Sequence, residues 1–175
     1  IGANNGNKIS LEDKIITNTN RKNENNFKAS ILLDNPNTIR VLKGPQYNFF
    51  SEKSKKLFFS QSYKVSNLTD RMGMRLAGEA LENVINTNIR SEGITKGAIQ
   101  VPADGQPIIL LTDSPTIGGY PKIANIITAD YDLLIQKIPG TNISFKCIDL
   151  KEAELLYKKK RDNISKIIKN IKEIN

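Results

Sequence analysis

The 175 residues include 26 Lys or Arg and 18 Asp or Glu, a formal charge of +8, with one cysteine, no histidine and no tryptophan. These counts exclude Ser-His-Asp and Cys-His catalysis within the chain, a zinc site built from three or four His/Cys ligands, and an internal disulfide. The length suits one domain with a self-sufficient core, and the longest apolar run, 107–111, is far shorter than the roughly 20 residues needed to span a bilayer.

Residues 1–17 read as a short hairpin-like lead-in with Ile9, Leu11, Ile15 and Ile16 as its apolar positions. They carry no basic and apolar leader pattern and no Met, so the expectation is a cytoplasmic chain that is a piece of something longer. Residues 18–28 hold one large apolar residue, Phe27, which predicts a mobile loop. Thr38–Leu42 alternates and is β-branched, as a strand would be. Gly44-Pro45 turns the chain, and Ser51 can cap a short helix that ends near Ser60 and faces Leu57 and Phe58 inward.

From Tyr63 to Cys147 the pattern is mostly β. Strand-like runs fall at 63–66, 72–76, 98–101, 107–112, 120–128 and 142–148, separated by turn signals at Asn67–Asp70, Gly78, Asp104-Gly105, Gly118-Gly119 and Pro139-Gly140. Asp104-Gly105 between two apolar runs is a hairpin signal. Asp130 is expected to cap a short helix carrying Leu133 and Leu134, and Asp149 with Glu152 resembles a capping box that opens a C-terminal helix. There Ile164, Ile167, Ile168, Ile171 and Ile174 form an amphipathic stripe, expected to pack on this domain or on a partner helix. Seven short strands with small helices predict a mainly β fold, a closed or nearly closed barrel with a C-terminal amphipathic helix. The expected divisions are a lead-in and loop at 1–37, the barrel at 38–149 and the helix at 150–175.

The basic balance is no sign of nucleic acid. Residues 151–175 hold eight Lys/Arg and four Asp/Glu, a net +4 that is half of the total. The cluster Lys158-Lys-Lys-Arg161 has one aromatic neighbour, Tyr157, and reads as a solvated helix face. Membrane-surface binding is disfavoured because the apolar stripe is aliphatic and lacks Trp and Phe.

Three segments hold polar residues that packing does not require. In Thr69–Leu76, an extended Met72–Leu76 would put Arg71, Gly73 and Arg75 on one face and Met72, Met74 and Leu76 on the other. Two guanidinium forks on one face suit a carboxylate or phosphate, and a salt bridge to Asp70 is the plain alternative. In Gly97–Ile108, Gln100 falls on the face opposite Ile99 and Val101, where it could hold an amide or carboxylate, and Gln106 follows the turn. In Thr112–Lys122, Gly118 and Gly119 permit close backbone approach to a ligand, Lys122 can place an ammonium beside them, and Asp113 and Thr116 add an acceptor or base and a hydroxyl. The plain alternative is a hairpin connection. Cys147 lies in an alternating strand and is expected to be a buried small hydrophobe.

These segments resemble the second half of the allophanate hydrolase subunit 2 family, also called biotin-dependent carboxyltransferase-like proteins, which includes the C subunit of 5-oxoprolinase. The resemblance is carried by Val41-Leu-Lys-Gly-Pro-Gln46, Ser66-Asn-Leu-Thr-Asp-Arg-Met-Gly-Met-Arg-Leu76, Gly97-Ala-Ile-Gln-Val-Pro102, Gly105-Gln-Pro-Ile108 and Gly118-Gly-Tyr-Pro-Lys-Ile-Ala124, in order. It implies a cyclophilin-like β-barrel acting on an amide or a carboxylated small molecule. Its site residues by motif are Lys122, Asp113 and Gln100 as catalytic groups, and Arg71, Arg75, Gln106, Thr116, Gly118, Gly119 and Tyr120 as substrate-binding groups, with no metal. The main function implied is a subunit or half-subunit of an ATP-dependent 5-oxoprolinase-type amidohydrolase, with ATP used by the assembled complex. Its implied partners are the family's first half and proteins like the A and B subunits of that enzyme. One alternative is the carboxyltransferase component of a urea carboxylase-like system, which needs biotin carried on another chain. The other is a non-catalytic regulator or inactive remnant. Two departures stand out: Asp113-Ser-Pro-Thr-Ile117 replaces the family's Asp-Arg-Gln-Thr-Thr, and Met74 stands where Tyr is usual.

Overall fold

The computed structural model describes residue 14 and residues 26–28, 36–82 and 88–174. Among them the strands are β1 (Asn26–Lys28), β2 (Thr38–Lys43), β3 (Tyr63–Val65), β4 (Gly73–Ala77), β5 (Glu92–Gly93), β6 (Ala98–Gln100), β7 (Ile108–Leu110), β8 (Ile117–Gly118), β9 (Lys122–Ile126), β10 (Asn142–Cys147) and β11 (Lys172–Ile174). The helices are α1 (Glu52–Ser60), α2 (Thr128–Ile135) and α3 (Leu150–Lys169). Seven strands close into a barrel in the order β10-β2-β9-β6-β7-β4-β3. β10 and β2 run parallel, with Phe145 opposite Ile39, and the other barrel pairs are antiparallel.

The strands form where alternation sends one set of side chains inward. Ile39 and Val41 of β2, and Ile143 and Phe145 of β10, are buried, while Thr38, Lys43 and Asn142 are exposed. β6 is buried on both faces and β9 nearly so, which removes alternation there. Ser51 Oγ accepts from Ser54 N at 3.1 Å and starts α1, whose Phe58 stacks on Phe145 with ring centroids 4.7 Å apart. Asp104-Gly105 turns β6 toward β7, with Gly105 at φ +73°, a conformation that favours glycine. Outside the barrel Ile127, Ala129, Ile148 and Ala153 form a smaller core beneath α3. Asp149 caps α3 by accepting from Glu152 N at 2.8 Å. No helix among the described residues is long and apolar enough to cross a membrane.

Several expectations are corrected. The predicted loop 18–28 does not run to its end as a loop, since Asn26–Lys28 pairs antiparallel with Lys172–Ile174; the rest of that loop and, residue 14 apart, the hairpin-like lead-in lie outside the described residues. α3 ends at Lys169, where Asn170 N bonds back to the last carbonyls, so Ile171 and Ile174 leave the helical stripe. Ile164 and Ile168 are exposed, and Ile167 is half-buried. Asp130 is no cap: Ile127 precedes the first turn of α2, and the Asp130 carboxylate is buried against Arg40. Met72 lies outside β4 and is 49% exposed, so it does not share the inner face with Met74 and Leu76. Cys147 is half-buried rather than buried. Within the basic cluster Lys160 is not free in solvent, because its ammonium bonds Asp132 Oδ2 at 2.8 Å and the Ala129 carbonyl at 3.0 Å.

Candidate functional site

β9 begins with Lys122, and β6 ends with Gln100, its register partner across an irregularity in the ladder. The barrel therefore brings a cation and an amide to one place at a strand end. The Lys122 side chain is only 4% exposed. A buried ammonium needs a counter-charge, and Glu92 of β5 supplies it through a close ion pair, with the acid's side chain 44% exposed. Glu92 is the one acid that Lys122 Nζ meets among the described residues, which leaves the ammonium's remaining N–H donors without a hydrogen-bond partner there. Buried Gln46 ties both together: its Nε2 donates to Glu92 Oε1 at 2.7 Å, and its Oε1 accepts from Lys122 N at 3.2 Å. Contact with Lys122, and next with the Gln46 amide, holds the Glu92 carboxyl below the usual range for a glutamate.

β5 and β8 form a two-residue ribbon, Glu92 opposite Gly118 and Gly93 opposite Ile117. Gly118 lies against Gln100: a Cβ there would sit 2.7 Å from Gln100 Nε2. That Nε2 is buried and has no hydrogen-bond partner among the described residues. Native interiors seldom leave an amide donor unpaired. Gln100 also lines a cavity of about 210 Å³ walled by Met72, Ile108, Leu110, Pro115 and Tyr120, with Arg75 and Asp70 at its edge. Asp70 accepts from Gly73 N and Met72 N at 2.9 and 2.8 Å, which lowers its carboxyl below the usual range and shapes the loop entering β4.

The structure thus brings together Gln100, Gly118 and Lys122, and puts Arg75 and Tyr120 around the adjoining cavity. It places the other candidates elsewhere. Arg71, 89% exposed, pairs with Asp113 at 2.6 Å on the surface. Gln106 accepts from Gly78 N at 3.0 Å and donates to Gly78 O at 3.1 Å, which ties two loops together. Thr116 is exposed and its carbonyl accepts from Ile94 N, while Gly119 O accepts from Ile89 N. Gln46 and Glu92 were not foreseen as site residues. The signal for Glu92 was physical: a lysine on a strand buried on both faces requires an acid nearby. Gln46 ends a motif in the sequence, but nothing in its neighbours announces two bonds to distant strands.

What the cluster can do is hold negative charge. A buried ammonium with unspent donors and an unpaired amide N–H suit a carboxylate or a developing oxyanion. Among the described residues no group of three His, Cys, Asp or Glu could hold a metal ion.

The family described as the carboxyltransferase domain, subdomain A and B, matches residues 1–147. The C subunit of 5-oxoprolinase from Escherichia coli is 42% identical over 117 residues, covering 67% of this chain and 38% of that protein. Its counterpart in Haemophilus influenzae is 39% identical over 137 residues, covering 78% of this chain and 44% of that protein. The chain thus spans less than half the length of these relatives. The crystal structure of K. lactis urea amidolyase superposes with a TM-score of 0.70 at 26% identity, covering 74% of this chain and 8% of that one. On the family match and the barrel together, the chain belongs to the carboxyltransferase domain family, subdomain A and B.

Proposed function

We propose that this chain is a half-subunit of a 5-oxoprolinase-type amidohydrolase, active in the cytoplasm with the family's other half and with partners like that enzyme's A and B subunits. The observation that carries the reading is the unpaired, buried Gln100 amide, which lines a small apolar-walled cavity and is the register partner of Lys122. The identity to proteins named as the C subunit of 5-oxoprolinase supports it. Hydrolysis of a lactam adds water across the C–N bond, and charge builds on the carbonyl oxygen during the addition. Lys122 and Gln100 are suited to receive that charge, with Arg75 at the cavity edge for a substrate carboxylate. The assembled complex uses ATP to drive the opening. Carboxyl transfer with biotin carried on another chain is the second reading, favoured by the likeness to urea amidolyase.

The test is reconstitution with the other half and the two partner proteins, following ATP-dependent release of glutamate from 5-oxoproline. Release that requires this chain, and that drops at least 100-fold with Lys122→Met, is the expected result. No release from a complex shown to be assembled would sink the amidohydrolase reading, in favour of carboxyl transfer or of a non-catalytic remnant.

A further inference from the structure

We infer that Glu92 is a resident anion which an incoming carboxylate or oxyanion displaces from Lys122, so that ligand binding at Lys122 releases an acid of the β5–β8 ribbon to water. The inference rests on the reading of Lys122 as the group that holds substrate charge.

The asymmetry of the pair is the first argument. Lys122 is 4% exposed and is built into a barrel strand, whereas Glu92 is 44% exposed on a two-residue strand outside the barrel. The acid can turn toward solvent and be hydrated; the ammonium has no such route. A buried cation stripped of its partner is costly, so departure of Glu92 is favourable only when another anion arrives. The second argument is capacity. An ammonium carries three donors, and apart from this one acid they meet no partner among the described residues, so a newcomer can use donors that Glu92 leaves unfilled. Third, the residue opposite Glu92 in the ribbon is Gly118, which lies against the unpaired Gln100 amide. A ligand oxygen entering there meets a second donor that Glu92 leaves unused. Gln46, bonded to both members of the pair, keeps the acid in place until then.

A scaffold pair and a resident competitor give opposite results when the acid is neutralised. The probe is acetate, titrated by NMR into the full 175-residue chain at constant ionic strength. Glu92→Gln keeps the shape and the capacity to bond Gln46, and it should bind acetate at least tenfold more tightly than the wild type. Lys122→Met in the Glu92→Gln background should abolish the gain. Acetylation of Lys122 by acetic anhydride should be faster in Glu92→Gln and slowed by acetate. Equal or weaker acetate binding in a folded Glu92→Gln protein overturns the inference. If that variant does not fold, Glu92→Asp, whose shorter acid reaches Lys122 less well, should show a smaller gain, and no gain overturns it. 5-Oxoproline is the second probe: a gain for acetate without binding of 5-oxoproline supports the exchange and counts against the lactam reading alone.

Discussion

Asp130 and Lys122 each place a charge inside the molecule, and each is paired with a residue distant in sequence. The Asp130 side chain is 1% exposed, and its carboxylate is saturated by one residue: Arg40 N and Nε donate to Oδ2, each at 2.8 Å, and Arg40 Nη2 donates to Oδ1 at 2.5 Å. The same contact raises the Arg40 guanidinium above its ordinary range. Lys122 is buried almost as deeply, yet among the described residues a single, partly exposed acid meets its ammonium and the amide donor of its register partner Gln100 is unpaired. Burial is common to both regions. What separates scaffold from site is whether the bonding capacity of the buried groups has been filled by the fold.

The largest effect expected from this contrast is on the scaffold side. Asp130→Ala leaves a guanidinium facing a cavity and should lower stability by about 3 kcal/mol in denaturant unfolding. A loss below about 1 kcal/mol would mean that the saturated pair is not a lock. Next comes Gly118→Ala. The new Cβ would meet Gln100 Nε2 at 2.7 Å, the end of a flexible side chain, so the amide should turn while the barrel holds. Turnover in the reconstituted complex should fall about tenfold, with a melting shift of no more than about 4 °C. A large melting shift would make Gly118 a packing residue instead.

A smaller effect follows acidification. The Glu92 carboxyl lies below its ordinary value of 4.5 and that of Asp70 below its ordinary 3.8. Both favour the ionised form in the folded state, so their contribution is complete above those ordinary values and is lost as pH falls through the lower folded ones. Amide shifts of the β5–β8 ribbon should therefore move with a midpoint below the ordinary 4.5 of a glutamate, and Lys122→Met should shift that midpoint upward. An unmoved midpoint would deny Lys122 its hold on Glu92. The smallest effect belongs to the surface pair. Arg71→Ala should change stability by no more than about 0.5 kcal/mol, since both partners are largely in water. A larger loss in thermal unfolding would move this pair from the surface into the scaffold.

The seven barrel strands, α1 and the start of α3 were legible in the sequence, because each repeats a period or begins on a recognisable turn or cap; α2 was legible as a helix but not in its start. The site was legible in part. Gln100, Gly118 and Lys122 are brought together, but Arg71 and Asp113 pair with each other outside, and Gln106 ties loops. The ribbon was illegible because two residues per strand carry no periodicity: Ser91-Glu-Gly93 looks like any loop. The end of α3 was misread because the isoleucine spacing persists past Asn170, while the backbone does not. Asp130 looked like a cap because its true partner, Arg40, lies 90 residues away.

The strand that completes the barrel, β10, is the last of the seven in the chain and joins the first, β2, in parallel. Thr38 and Ser144, whose hydroxyls meet at 3.0 Å across this seam, are 106 residues apart. Such a fold has high contact order and gathers its nucleus slowly. During synthesis, β2 and β3 remain unpaired edges toward β10 until the ribosome has released Cys147 and the residues before it. α3 can seat on its small core only after that seam exists, since Leu42 and Ile148 come from either side of it. A nascent chain arrested before this strand would expose two open edges at once, a surface that chaperones bind and that other copies can extend.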